Sequence, residues 1–195
     1  MASLNAVFRK FPTVTIDRYQ LREIRKDDAK DLFELYSDAE TLQYEGMIPL
    51  KHLDEMDPLI EDIQNGYEQR KTLRWVIEDM HTQKAIGSIA MYYIHPWQRT
   101  ACMGYALNRS CWKQGIMYAC MKGLLQHLYY NYHLQHVLLT IWPQNLASMA
   151  LASKLGFLYQ GVIPGSGYNA ITKTKVDMRA YSLTLSYRIK RWEQE

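Results

Sequence analysis

The stretch GYALNRSCWKQGIMYACMKGLLQHLYY (104–130) joins two segments with different periodicities. TACMGYAL (100–107) has the short apolar composition of a strand. Met117, Met121, Leu124, Leu125 and Leu128 fall on one helical stripe. Between them lie an aromatic, a base, an amide and a glycine, Trp112-Lys113-Gln114-Gly115. The first N–H groups of a helix have no partner inside it, and the helix dipole adds a positive field there. A diphosphate suits such a terminus. Gly115 lets a ligand approach the backbone because no Cβ intervenes. Lys113 adds a charge, and Trp112 would brace the loop from its apolar side. A plain glycine turn fits the local residues as well, since neither G-x-G-x-x-G nor G-x-x-x-x-G-K-[ST] is present.

Outward from this junction, LRWVIEDM (73–80), AIGSIAMYYI (85–94) and TACMGYAL read as three strands of an antiparallel meander. HVLLTIW (136–142) is a continuous apolar run, as in a strand covered on both faces. Asn145 is placed to cap a helix, and Gly156 to end it in a left-handed turn. FLYQGVI (157–163) and VDMRAYSLTL (176–185) read as closing strands around the loop PGSGYNAIT. At the front, TVTIDRYQLREI (13–24) has strand composition broken near Asp17-Arg18. Asp27 or Asp28 can cap a helix carrying Ala29, Leu32, Phe33 and Tyr36 on one face. After a connecting loop (37–49), Asp57-Pro58 opens a second helix with Leu59, Ile60, Ile63 and Tyr67. The pattern predicts an α+β fold with a mixed sheet of about seven strands and about four helices, not a doubly wound nucleotide fold. Residues 1–12 read as a loose leader, 13–190 as one domain and 191–195 as a tail.

A net charge of +3 on 195 residues carries no basic stripe, so nucleic acid is not an expected partner. No run approaches the ~18 apolar residues of a membrane helix, and the N-terminus has no signal-peptide layout. Cys102, Cys111 and Cys120, spaced by nine, suit neither a disulfide framework nor a common zinc site. Free thiols in a reducing cytoplasm are expected. Fifteen tyrosines and ten methionines suit an adaptable apolar interior.

The junction, followed by WPQNLASMALASKLGF (142–157), resembles the GNAT N-acetyltransferase superfamily, and within it the branch that acetylates ribosomal-protein N-termini. The resemblance rests on Trp112 to Met117, Asn145 with Ser148, Lys154-Leu155-Gly156-Phe157 and Gln160-Gly161. It extends to QLREIRKDDAKDLFELYSD, LRWVIED and VDMRAYSL. It implies acetyl-CoA as acyl donor, no metal, and an amine acceptor, either a protein N-terminus or a small molecule. A homodimer is compatible with it. It also implies a sheet splayed in the middle, with the donor's pantetheine arm against the backbone of Tyr105, Ala106 and Leu107. The pyrophosphate would rest on the N–H groups of Gln114, Gly115, Ile116, Met117 and Tyr118. Asn145 and Lys154 would add cofactor contacts, Lys154 at the 3′-phosphate. A backbone N–H near Tyr105 or Ala106 would meet the developing oxyanion.

By the same resemblance Ser148 is the acid that protonates the leaving thiolate. Glu45, in QYEGM, lies where the family closes over its acceptor and is the candidate base. Glu78 and His95 are further carboxylate and imidazole candidates. Each has a plain structural reading too: Asn145 as a helix cap, Ser148 as a locally bonded hydroxyl, Lys154 as a cation in a last helical turn. The chain departs from the family pattern at Met117, where a small residue is usual, and at Ala119 and Gln160, where glutamates are frequent. Ala152 stands where many members carry a tyrosine. These departures motivate a second reading, a non-catalytic acyl-CoA-binding or regulatory module.

Overall fold

The structure is a computed structural model that describes residues 3–194. Among them, eight strands form one sheet in the order β1-β2-β3-β4-β5-β6-β8-β7. The strands are β1 (Val14–Ile16), β2 (Tyr19–Glu23), β3 (Leu73–Asp79), β4 (Lys84–His95), β5 (Thr100–Leu107), β6 (His136–Ile141), β7 (Leu158–Asn169) and β8 (Thr174–Thr184). Six α-helices accompany them: α1 (Ala29–Ser37), α2 (Ala39–Leu42), α3 (Met56–Glu68), α4 (Ile116–Tyr132), α5 (Leu146–Leu155) and α6 (Leu185–Trp192). The fold is mixed α+β, as expected, with one more strand and two more helices than the sequence pattern predicts.

The extra strand arises because Asp17 takes a left-handed φ of 51° and folds 14–23 into a hairpin, Val14↔Leu21 to Ile16↔Tyr19. The extra helices are α2, inside the expected 37–49 loop, and α6. α6 begins where the closing strand was expected to end and buries Leu185, Ile189 and Trp192. The expected tail therefore starts inside a packed helix, and Glu195 lies outside the described residues. The expected leader is likewise packed. Leu4–Phe8 form a 3-10 turn that buries Leu4 and Val7, Tyr67 Oη donates to Val7 O at 3.1 Å, and Trp75 Nε1 donates to Pro12 O at 2.7 Å. Met1 and Ala2 lie outside the described residues.

Alternation along β3 divides the core. Trp75 and Ile77 face α4, α5 and α6, while Val76 faces α1 and α3. The stripe Met117, Met121, Leu124, Leu125 and Leu128 is buried as its spacing predicts. Asp28 does not cap α1 with its side chain. Its carboxylate instead receives Arg22 at 2.7 and 2.8 Å and the Arg25 N–H at 2.7 Å. Pro58 falls two residues inside α3, which starts at Met56 after a short 3-10 turn. β6 is not covered on both faces: Val137, Leu139 and Ile141 are buried, but His136, Leu138 and Thr140 are exposed. The apolar run hid an ordinary period of two. PGSGYNAIT is not a free loop either, since β7 continues to Asn169 across an irregularity between Ile163 and Gly167.

Candidate active site

The sheet parts between β5 and β6. The two strands pair in parallel only at Thr100↔His136, Ala101↔Val137 and Cys102↔Leu138. Each then keeps its outer neighbour, β5 with β4 up to Leu107 and β6 with β8 up to Ile141, so the inner edges face a gap. The direction of the β5 backbone follows from alternation. Asn108 N donates to Ile86 O at 2.8 Å, so even-numbered residues here face β4. Arg99 O accepts from Gln135 N at 2.8 Å, so odd-numbered residues face β6 and, further on, the gap. Leu107 O is taken by Trp112 Nε1 at 2.7 Å. Tyr105 therefore directs its N–H and C=O into the split. Ala106 does not: its backbone groups face β4, and only its side chain lines the cleft. That corrects the expectation that either residue could present an N–H there.

At the mouth of the split a short 3-10 turn (Arg109–Cys111) carries the chain from β5 to α4. Asn108 Oδ1 accepts from Ser110 N at 3.3 Å, and Gln114 Nε2 donates to Ser110 O at 2.9 Å. Lys113 and Gly115 take positive φ of 60° and 77°, turning successive amides to one side. A Cβ on Gly115 would meet nothing within 4 Å, so the space above this backbone is open. Trp112 N donates to Arg109 O at 3.1 Å, and the next amide with a partner in the described protein is Ala119 N, donating to Gly115 O at 3.0 Å. The amides of Gln114 to Tyr118 precede it. Lys154 Nζ, in the last turn of α5, sits 4.4 Å from the Tyr118 ring centroid.

Two cavities open on the two sides of the split. One, about 570 Å³, runs from the Trp112–Tyr118 turn along Tyr105, Ala106 and Leu107 to Asn145 and Ser148. The other, about 310 Å³, lies under the β7–β8 hairpin. They share five lining residues: Tyr44, Glu45, Tyr105, Asn145 and Ser148. Nine of the ten expected cofactor residues and both expected catalytic residues line the first cavity; Gln114 does not.

At the junction Tyr105 Oη lies 2.8 Å from Ser148 Oγ, either of which can donate. Asn145 Oδ1 accepts from Ser148 N at 3.0 Å and so fixes the first turn of α5. Burial pushes the Tyr105 phenol up to about 12, with Glu45 adding to the rise, so the hydroxyl pair keeps its protons at neutral pH. Glu45 follows α2, which Leu42 anchors in the core and Arg109 ties to the turn, at 3.2 Å from Asp38 and 2.5 Å from Glu40. Its carboxylate is exposed to the cleft but enclosed by protein on its other sides. Desolvation pushes it up to about 7, against a downward pull from Arg74.

Glu78 is engaged elsewhere, ion-paired to Arg22, and His95 is exposed opposite Thr100, at the closed end of the β5–β6 pair. Ala152 is fully buried in the core. Gln160 sits exposed in a bulge of β7 and donates to Leu158 O at 3.2 Å, away from both cavities. Its lost carboxylate removes nothing from the cleft. Met117 is accommodated because its side chain turns into the core at 7% exposure. The Tyr105 hydroxyl was not foreseen as a side-chain participant. Its partner Ser148 is 43 residues away, and no local spacing signals the contact.

A parted sheet, a turn of outward amides and proton-carrying side chains at the split define an acyltransferase cleft. The model of the acetyltransferase (GNAT) domain matches residues 18–158, and the chain belongs to that family. It is an acyl-CoA N-acyltransferase of the GNAT type. It is 26% identical over 173 residues, 89% of this chain and 97% of the other, to the uncharacterized N-acetyltransferase YoaA of Bacillus subtilis (strain 168). Its fold matches that of the microcin C7 self-immunity acetyltransferase MccE, in complex with acetyl-CoA and AMP. That match has a TM-score of 0.76 and 20% identity, over 86% of this chain and 93% of the other. It also matches RimL, a ribosomal-protein alpha-N-acetyltransferase in complex with coenzyme A, with a TM-score of 0.75 and 17% identity over 89% and 98% of the two chains.

Proposed function

We propose that the protein transfers the acetyl group of acetyl-CoA to a primary amine by direct attack, with Glu45 as base and the Tyr105–Ser148 pair as acid. The observation that carries this reading is the meeting of the two cavities at Glu45, Tyr105 and Ser148. A donor in one cavity and an acceptor in the other would meet at these shared residues.

The residues present fit the donor. Outward amides from Gln114 to Tyr118 and the open space over Gly115 suit a diphosphate, with Lys113 and Lys154 beside it. Tyr105 offers a free strand edge to an amide-bearing arm. When bound, acetyl-CoA supplies an activated acyl group as a thioester. Glu45 takes the proton of the incoming ammonium and leaves a neutral amine to form the C–N bond. Tyr105 N–H donates to the oxygen that gains charge as that bond forms. Ser148 Oγ, resupplied by Tyr105 Oη, gives a proton to the sulfur as the C–S bond breaks, and the second proton, shed by the newly acylated nitrogen, restores the hydroxyl pair. The proton held on Glu45 goes to solvent, and the products are an N-acetylated amine and a thiol.

We also infer a cytoplasmic setting from the three free thiols, with no direct nucleic-acid or membrane partner. Leu158, Tyr159, Val162 and Ile163, exposed on the edge strand β7, support a homodimer. The test of the reaction is release of coenzyme A thiol from acetyl-CoA with a panel of primary amines. Thiol and acetylated amine should form in equal amounts. Saturable coenzyme A binding without thiol release on any amine would contradict it.

A further inference from the structure

The smaller cavity has a lining that discriminates among amines. Glu45 is the one formally charged side chain among its described lining residues. Around it stand Tyr44, Tyr92, Trp142 and Tyr168. The Tyr44 and Trp142 rings lie 6.2 Å apart, centroid to centroid, inclined at 48°. Aromatic faces beside one carboxylate attract a single ammonium and leave a second one unpaired.

The cavity is also roofed. Ala170 N donates to Gly46 O at 3.3 Å, so the segment after Glu45 is stapled to the tip of the β7–β8 hairpin. Gly46 has φ 71°, and a Cβ there would lie 2.5 Å from Tyr168 O. Only glycine permits this approach. Beneath the staple the space is about 310 Å³, at the low end of the range for small-molecule sites, about 300–1,000 Å³. The staple and this small volume suit a compact acceptor better than a run of polypeptide.

We propose that this cavity is the acceptor site for a small arylalkylamine, a single ammonium on a flat apolar body, rather than for a polyamine or a protein N-terminus. The proposal rests on the amine-acetylating reading of the cleft. In it the ammonium pairs with Glu45, and the flat body packs against Tyr168 and Trp142.

The test is calorimetric titration of the full chain, with and without saturating coenzyme A, using 2-phenylethylamine, spermidine and a short peptide with a free N-terminus. One saturable site is expected for 2-phenylethylamine, about tenfold or more tighter than for either competitor. Tyr168→Ala should weaken it roughly 5–30-fold. Tighter binding of the peptide or of spermidine, or no effect of Tyr168→Ala, would overturn the proposal. Thiol release keeps the two inferences apart. Preferred turnover of the peptide would leave acetyl transfer standing and refute the arylalkylamine site. Tight, Tyr168-dependent binding of 2-phenylethylamine without thiol release would uphold the site and refute the reaction.

Discussion

Tyr105 and Ser148 are joined by one hydrogen bond at 2.8 Å and so act as a unit. Tyr105→Phe and Ser148→Ala should each lower kcat by roughly 10–100-fold, within the range of general acid catalysis. The double variant should be no slower than the worse single one, because groups in one relay are not additive. Steady-state kinetics on the three variants checks this; losses that multiply would assign the two hydroxyls to separate tasks. Residues at this scale were unevenly legible. Ser148 and Glu45 came from a resemblance in motif order, and Asn145 from its capping chemistry. The Tyr105 hydroxyl was invisible because strand alternation and a 43-residue separation, not spacing, bring it to Ser148. Glu78 carried the same carboxylate as Glu45, and only tertiary structure reveals that Arg22 holds it.

At the scale of elements, the turn into α4 and the bridge over the smaller cavity each depend on one glycine. Gly115→Ala meets no neighbour within 4 Å, so its structural cost is the positive φ alone, about 1–2 kcal/mol. Its methyl group would project where the diphosphate is proposed to lie. The expected outcome is a rise of roughly tenfold or more in the KM for acetyl-CoA. An unchanged KM in the folded variant would argue against the turn as the anion site. Gly46→Ala meets Tyr168 O at 2.5 Å and must part the staple. It should raise the KM for the amine, by roughly tenfold, while leaving the KM for acetyl-CoA within about twofold. Steady-state kinetics with each substrate varied in turn separates the two effects. The α4 turn was readable in advance because strand, glycine and helical stripe are contiguous. The staple was not, since it joins segments over 120 residues apart, Gly46 and Ala170. α2 is a four-residue helix, too short to carry a period. α6 carries Leu185, Ile189 and Trp192 at helical spacing, but YSLTL just before it imposed a strand reading.

Across the whole molecule, the meander, the parallel crossover and the closing hairpin were recoverable from order and periodicity, because each element buries a face. Ion pairing within the core was not. Arg22 and Asp28 are each 5% exposed and bond bidentately at 2.7 and 2.8 Å, beside Glu78. Asp28→Asn leaves the buried guanidinium with Glu78 as its one charged partner among the described residues, so it should cost about 1–3 kcal/mol in urea unfolding. The same variant, once folded, should keep its KM for acetyl-CoA, since the pair lies on the far side of β3 and β4 from the gap. A loss under ~1 kcal/mol would show the pair to be replaceable by a neutral hydrogen bond.

The central claim is that Glu45, raised to about 7 by its surroundings, accepts the proton of the attacking amine. A base works only when deprotonated, so kcat/KM for the amine should climb as pH rises and level off above about 7. It should fall again only near the amine's own pKa, about 10. The most direct test is this profile for the wild type beside Glu45→Gln. The account predicts that the limb near neutrality disappears in the variant along with most of the rate; the same limb in both proteins would contradict it.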